Sequence, residues 1–243
     1  MRRNLFCLVA LLGTGLNLGV GDVAVAADLH APPPPRTPPI DWTSCYLGGN
    51  AGGAWVRAEF IDTGSGGGIS GTNTSFAGGV QVGCDVQVNR YLVVGFRDLF
   101  AATSLKVSGT FQDGLLAGYS GYSNTSWFDT ATARAGFAVQ PNWLWYVQAG
   151  GAWTQPSQAI NAPTGGLVAQ INNSRTGWTV GGGTEYLFAD RWSAFVEYNY
   201  LNFGTQAVNF TDAGACVAGC ATGLKRDSQN ILVGLNVRLF ATR

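Results

Sequence analysis

The side chains able to do chemistry are few in this chain, and their spacing argues against most of it. General acid–base and nucleophilic catalysis most often rest on a histidine set beside a serine or an acid. The one histidine, His30, lies in the proline-dense run DLHAPPPPRTPPI (28–40), where it reads as a polar spacer residue. A carboxylate or a lysine could act as a base instead, but Lys106 and Lys225 fall in expected loops and the acids are spread over many segments. Cys216-x3-Cys220 has near-ligand spacing with no other ligand type nearby. A local disulfide bracing its loop is the leading reading there, with free thiols the alternative. The glycine clusters Gly64-Ser65-Gly66-Gly67-Gly68 and Gly181-Gly182-Gly183 precede no helix and are not phosphate loops. The first reads as flexible loop, the second as strand in which glycine admits close backbone approach or bending. No catalytic, cofactor-binding or metal site is expected.

The elements that must position the remaining charges are strands. After the spacer no stretch holds a helical period, whereas several alternate at period two. In 76–88, Phe76, Val80, Val82, Cys84, Val86 and Val88 share one face, with Gln81, Asp85 and Gln87 on the other. In 192–202, Val196, Tyr198 and Tyr200 oppose Glu197 and Asn199, and in 230–239 Ile231, Val233, Leu235, Val237 and Leu239 oppose Asn230, Asn236 and Arg238. Eight strands are predicted, at 43–59, 75–88, 91–104, 124–139, 143–155, 174–188, 192–206 and 227–240. Asn89-Arg90, Gln140-Pro141-Asn142 and Ala189-Asp190-Arg191 make short turns. The other connections, 60–74, 105–123, 156–173 and 207–226, are long and rich in Gly, Ser, Thr and Asn. Short and long alternate strictly, as in a barrel with short periplasmic turns and longer outside loops.

The N-terminus and the composition point to the same place. Arg2 and Arg3, the mostly apolar stretch 5–20 and Ala24-Val25-Ala26 form the three zones of a secretory leader, 1–26, expected to be removed. Proline-rich 27–41 is an extended spacer, 42–240 the barrel and 241–243 a tail. Loss of Arg2, Arg3 and Asp22 with the leader leaves 12 Lys+Arg against 13 Asp+Glu, and without a basic patch nucleic acid is no partner. Only 12% of the chain is charged against a typical ~25%, with no long apolar run after the leader. That fits half-apolar strands in lipid. A soluble eight-stranded lipocalin would imitate the alternation, but large aromatics mark both rims: Trp143, Trp145, Tyr186, Phe188 and Trp192 near the turns, and Trp127, Trp153, Trp178 and Tyr200 near the loops. Rings at both ends suit two membrane interfaces. The expected fold is an all-β, eight-stranded antiparallel up-and-down transmembrane barrel.

Alternation sends Asp85, Glu185 and Glu197 inward together with Arg134 and Arg238. Arg97 joins them, unless a bulge or another register intervenes, since Asp98 beside it then points outward. Eight strands leave an interior just wide enough for side chains to fill, so these charges are expected to pair as a lumen network; an ion path is the alternative. Cys45 shares its parity with Leu47, Ala51 and Trp55, and Cys84 sits with Val82 and Val86. If the first two strands pair about Gly67 or Gly68, Cys45 falls opposite residues 84–90. A bridge between Cys45 and Cys84 is then possible, and two reduced, lipid-facing cysteines are the alternative.

Three segments carry a family resemblance: the spacer running into IDWTSCYLGGNAGGAW (40–55), TATARAGFAV (130–139) and DSQNILVGLNVRLF (227–240). Together they resemble the small outer-membrane barrels of alphaproteobacteria, the outer-membrane immunogenic or opacity-type porin family, within the outer-membrane protein A-like class. The resemblance implies residence in the Gram-negative outer membrane, contact with its lipid and lipopolysaccharide, and insertion by the barrel-assembly machinery. Such barrels usually end in a lipid-facing aromatic; here Leu239 holds that place and Phe240 is out of phase. The implied role is structural and surface-exposed, as a surface antigen, without catalysis. The alternatives are a narrow porin-like pore for ions or small solutes, and an adhesin-like barrel whose loops bind a host or matrix component or an apolar ligand such as haem.

Overall fold

The computed structural model describes residues 40–62, 68–113, 117–212 and 216–240, with side chains throughout except at 62, 168, 169, 171, 208–212 and 216–222. The expected leader, nearly all of the spacer and the tail 241–243 lie outside the described residues. Ten strands follow in chain order: β1 (Ser44–Asp62), β2 (Gly68–Gln87), β3 (Leu92–Thr110), β4 (Ser120–Gln140), β5 (Trp143–Thr154), β6 (Ser157–Asn161), β7 (Leu167–Asn172), β8 (Arg175–Ala189), β9 (Trp192–Asp212) and β10 (Cys216–Arg238). Eight of them close a ring in the order β1-β2-β3-β4-β5-β8-β9-β10, every pairing antiparallel, with β10 returning to β1. A closed ring leaves no unpaired edge, which is what lets strands sit in lipid.

The strands tilt. Directly paired residues followed from Tyr46 run Gly83, Arg97, Thr132, Gly150, Thr179, Leu201, Ser228 and back to β1 at Val56, ten residues beyond the start. This stagger belongs to barrel closure, and it decides which inward side chains share a level.

Period-two alternation turns the chain's hydrophobicity outward. Val82, Phe96, Val147, Val196, Ile231, Val233 and Leu235 are exposed, while Gln81, Asp85, Gln148, Glu197, Asn199 and Asn236 are buried. That inversion of a soluble core gives an apolar wall around a polar interior. Two apolar clusters lie within the ring. Trp42, Val93, Ala138, Leu144 and Leu187 pack at the short-turn end, where the Trp42 indole donates to the Pro141 carbonyl at 3.0 Å and its backbone N–H to Gln87 Oε1 at 2.8 Å. Toward the other end a larger cluster includes Leu99, Phe128, Leu201, Phe60 and Phe111.

The eight barrel strands are the expected ones, but several are longer. Most of 60–74, 105–123 and 207–226 continues the ladder, and 156–173 folds into the hairpin β6–β7, with β6 paired to β4. Gly, Ser, Thr and Asn mark turns when read alone, yet a strand beyond the lipid has no need of an apolar face. The β1–β2 register is not centred on Gly67 or Gly68: Gly68 is already in β2, opposite Ile61, and Cys45 meets Cys84. The register through Arg97 and Asp98 is unbroken. The irregularity comes later, where Thr103 and Ser104 oppose Ser126 alone.

Candidate functional site

The lumen at the short-turn end holds the charged residues in two groups. Arg134 of β4 lies between Glu185 Oε2 of β8 at 2.7 Å and Asp85 Oδ2 of β2 at 3.3 Å. Its Nη1 donates to the Tyr46 hydroxyl at 3.2 Å, and its guanidinium carbon stands 4.2 Å from the centre of the Tyr146 ring. Glu185 Oε1 also accepts from Ser193 Oγ at 2.6 Å and from Asn236 Nδ2 at 2.9 Å. In the second group Arg97 reaches from β3 to β9, four strands away around the ring, and meets Glu197 in a two-pronged pair at 2.6 and 2.8 Å. The Tyr146 hydroxyl and Asn199 Nδ2 each donate to Glu197 at 2.8 Å. Gln148 Nε2 continues the network to Asn199 Oδ1 at 2.6 Å.

Small residues opposite large ones make this packing possible. Gly95 pairs directly with Asp85, and a Cβ on Gly95 would collide with Asp85 Oδ1. Gly183 pairs with Glu197, and a Cβ there would meet the Tyr146 hydroxyl at 2.9 Å. Gly95→Ala is therefore expected to destabilise the barrel by about 1–3 kcal/mol through overpacking of a rigid polar layer. Urea unfolding of the variant in lipid vesicles measures this, and an unchanged midpoint would show that the layer yields.

Of the six charges assigned to the lumen, five meet in these groups: Asp85, Arg97, Arg134, Glu185 and Glu197. Arg238 is buried but stands apart. As the last residue of β10 it sits at the rim, bonding the Asp41 carbonyl rather than a lumen acid. Cys45 and Cys84 are direct partners on the outer face and are joined by a disulfide. The backbones of Cys216 and Cys220 belong to β10, but their side chains, and any bridge between them, lie outside the described residues. Trp143, Trp145, Trp153, Trp178 and Trp192 are exposed and Trp127 half-buried on the outer face, with Trp143 bonded to Thr184 Oγ1 and Trp127 stacked on Phe100.

Sequence reasoning missed Trp42, Tyr46 and Tyr146, and it missed Arg175 and Arg226, which lie buried beyond the apolar layer that caps the network. A signal for Arg226 existed. The inward parity of Asn236, Asn230 and Ser228 reaches it two residues further on, once β10 is allowed to continue.

An antiparallel ring with an apolar exterior and a hydrogen-bonded interior is the construction of a bacterial outer-membrane barrel. The chain belongs to the family of the outer membrane protein beta-barrel domain, whose family model matches residues 23–238. It is 30% identical over 232 residues to the 31 kDa outer-membrane immunogenic protein of Brucella melitensis, covering 88% of this chain and 93% of that one, and equally so to its Brucella suis counterpart. The relationship expected from the three sequence segments is the one found, and it places the protein in the outer membrane. Among solved structures, Neisserial surface protein A is similar over 80% of this chain and 97% of its own, with 14% identity and a TM-score of 0.41. OprG of Pseudomonas aeruginosa is similar over 83% and 99%, with 10% identity and a TM-score of 0.47. The closed ladder itself, rather than these distant likenesses, establishes the strand ring.

Proposed function

We propose that this protein acts as a closed, non-catalytic barrel with a structural and surface-exposed role in the outer membrane. The supporting observation is the Arg97–Glu197 pair, which crosses the bore from β3 to β9 with Arg134, Asp85 and Glu185 grouped beside it. Charges committed to each other in this way neither pass ions nor serve as an acid or base for a substrate. On this reading the leader 1–26 is removed on export, the barrel-assembly machinery inserts the chain, and the outer face meets lipid and lipopolysaccharide. The long-connection end then faces outward. The immunogenic name of the Brucella relative agrees with an exposed surface.

Planar-bilayer recording tests the closed state. The purified protein is expected to show no steady conductance above that of the bare bilayer, and large stable channels would overturn this reading in favour of a pore. Protease treatment of intact cells tests the orientation. Cleavage is expected at the long-connection end, and full protection there, with cleavage at the short turns in intact cells, would invert the topology.

A further inference from the structure

Two arginines in the lumen near the long-connection end carry charge that no described residue balances. Arg226 of β10 and Arg175 of β8 are buried, exposing 1% and 3% of their surface. Arg226 crosses the bore to β4, where its Nη1 donates to Ser123 Oγ at 2.8 Å, and its Nη2 has no partner. Arg175 Nη1 donates to the Leu224 carbonyl at 3.0 Å. With the Gln158 amide turned to present its oxygen, Arg175 also donates to it from Nε at 3.3 Å and from Nη2 at 3.0 Å. Thr125 lies two residues from Ser123 on the same inward face, buried and with its hydroxyl unpartnered. Leu224 is two residues from Arg226 on β10, so the two arginines are neighbours in the bore.

The described acids of the barrel strands are committed elsewhere, and Asp113, beyond β3, is exposed. Asp85 and Glu185 hold Arg134, and Glu197 holds Arg97. Asp227 accepts from Tyr200 and Asn202, while Glu59, Asp98 and Asp129 alternate outward. Described apolar residues flank the arginines on both sides. Ala101, Ala152 and Leu201 lie between them and the lower network, and Phe60, Phe111 and Ile160 lie above, Phe60 and Phe111 meeting edge to face at 6.4 Å. A buried guanidinium without a counter-charge is strongly disfavoured, so this layer calls for an anion.

We propose that Arg226, with Thr125 beside it and Arg175 behind, forms a binding site for one small oxyanion of the carboxylate class, of the size of formate or acetate. Two unused donors, Arg226 Nη2 and the Thr125 hydroxyl, call for an acceptor with more than one oxygen. The buried apolar side chains around the layer limit its bulk.

Formate is the probe, titrated into the full-length protein folded in detergent, with ionic strength held constant by a sulfonate buffer far bulkier than formate. Two readouts are followed: the thermal midpoint, and the line width of 13C-formate. Formate is expected to raise the midpoint and broaden the line saturably. Arg226→Met is expected to abolish both responses while leaving the formate-free midpoint equal to or above that of the unmodified protein, because the unbalanced charge is gone. Thr125→Val is expected to weaken binding about tenfold, the loss of one charge-assisted hydrogen bond, and it keeps the test decisive should Arg226→Met not fold. A silent unmodified protein, or a response surviving in both variants, overturns the site. An equal saturable response to chloride overturns the oxyanion assignment. A response appearing only in the double variant Asp62→Asn/Asp212→Asn would show that the chain supplies its own counter-charge, and the proposal would fall.

Discussion

Arg134→Met is expected to destabilise the folded barrel by about 3–5 kcal/mol, the cost of leaving buried charge without its partner. The substitution keeps most of the side-chain volume and removes the one cation that meets both Asp85 and Glu185. Glu185 would retain Ser193 and Asn236 as donors, whereas Asp85 Oδ1 already lacks a partner and Oδ2 would lose its ion pair. Two buried carboxylates would then face each other with no cation between them. Urea titration of the protein in lipid vesicles, followed by tryptophan emission and by the mobility of unheated samples on gels, measures the loss. Adding Asp85→Asn and Glu185→Gln to Arg134→Met is expected to recover most of it, since amides of the same shape need no counter-charge. A loss below ~1 kcal/mol in the single variant would mean that the group is not held together by charge.

The second large effect concerns the bond between β1 and β2. Cys45→Ser with Cys84→Ser is expected to lower stability by about 2–4 kcal/mol, chiefly because the unfolded chain regains the freedom of a 39-residue loop. The two sulfurs sit on the outer face between directly paired residues, so the native ladder needs no rearrangement when the bridge is lost. The cost should therefore appear in urea midpoints and in refolding yield, with the lumen unchanged. Peptide mass spectrometry without reduction checks the premise. Freely alkylatable thiols at both positions in freshly extracted protein would remove the bridge and with it the expected loss.

The outward and inward faces were legible because they depend only on the local period of a strand. Val82, Cys84 and Val86 against Asp85, or Ile231 and Val233 against Asn230, declare their sides without knowledge of any neighbour. The short turns at Asn89-Arg90 and Pro141-Asn142 were readable for the same reason. Strand ends at the long connections were not: Gly, Ser, Thr and Asn between 60 and 74 satisfy a turn as well as they satisfy a ladder outside lipid. Only the pairing of β1 with β2 down to Ile61 and Gly68 separates the two.

By itself the sequence determined the class of protein, the membership of its family, the number of barrel strands and five of the charges that enter the lumen. All of these follow from local alternation, turn chemistry and the three family-like segments. The tertiary structure decided which charges meet. Pairing across the bore depends on the stagger that returns the Tyr46 row to β1 at Val56, and stagger is a property of the closed ring that no segment carries alone. It sets Arg97 against Glu197 and gathers Arg134, Asp85 and Glu185. It also leaves Arg238 at the rim and lifts Arg175 and Arg226 into a layer where no described residue is an acid partner, because in a tilted ring residues far apart in sequence share a height and close sequence neighbours do not.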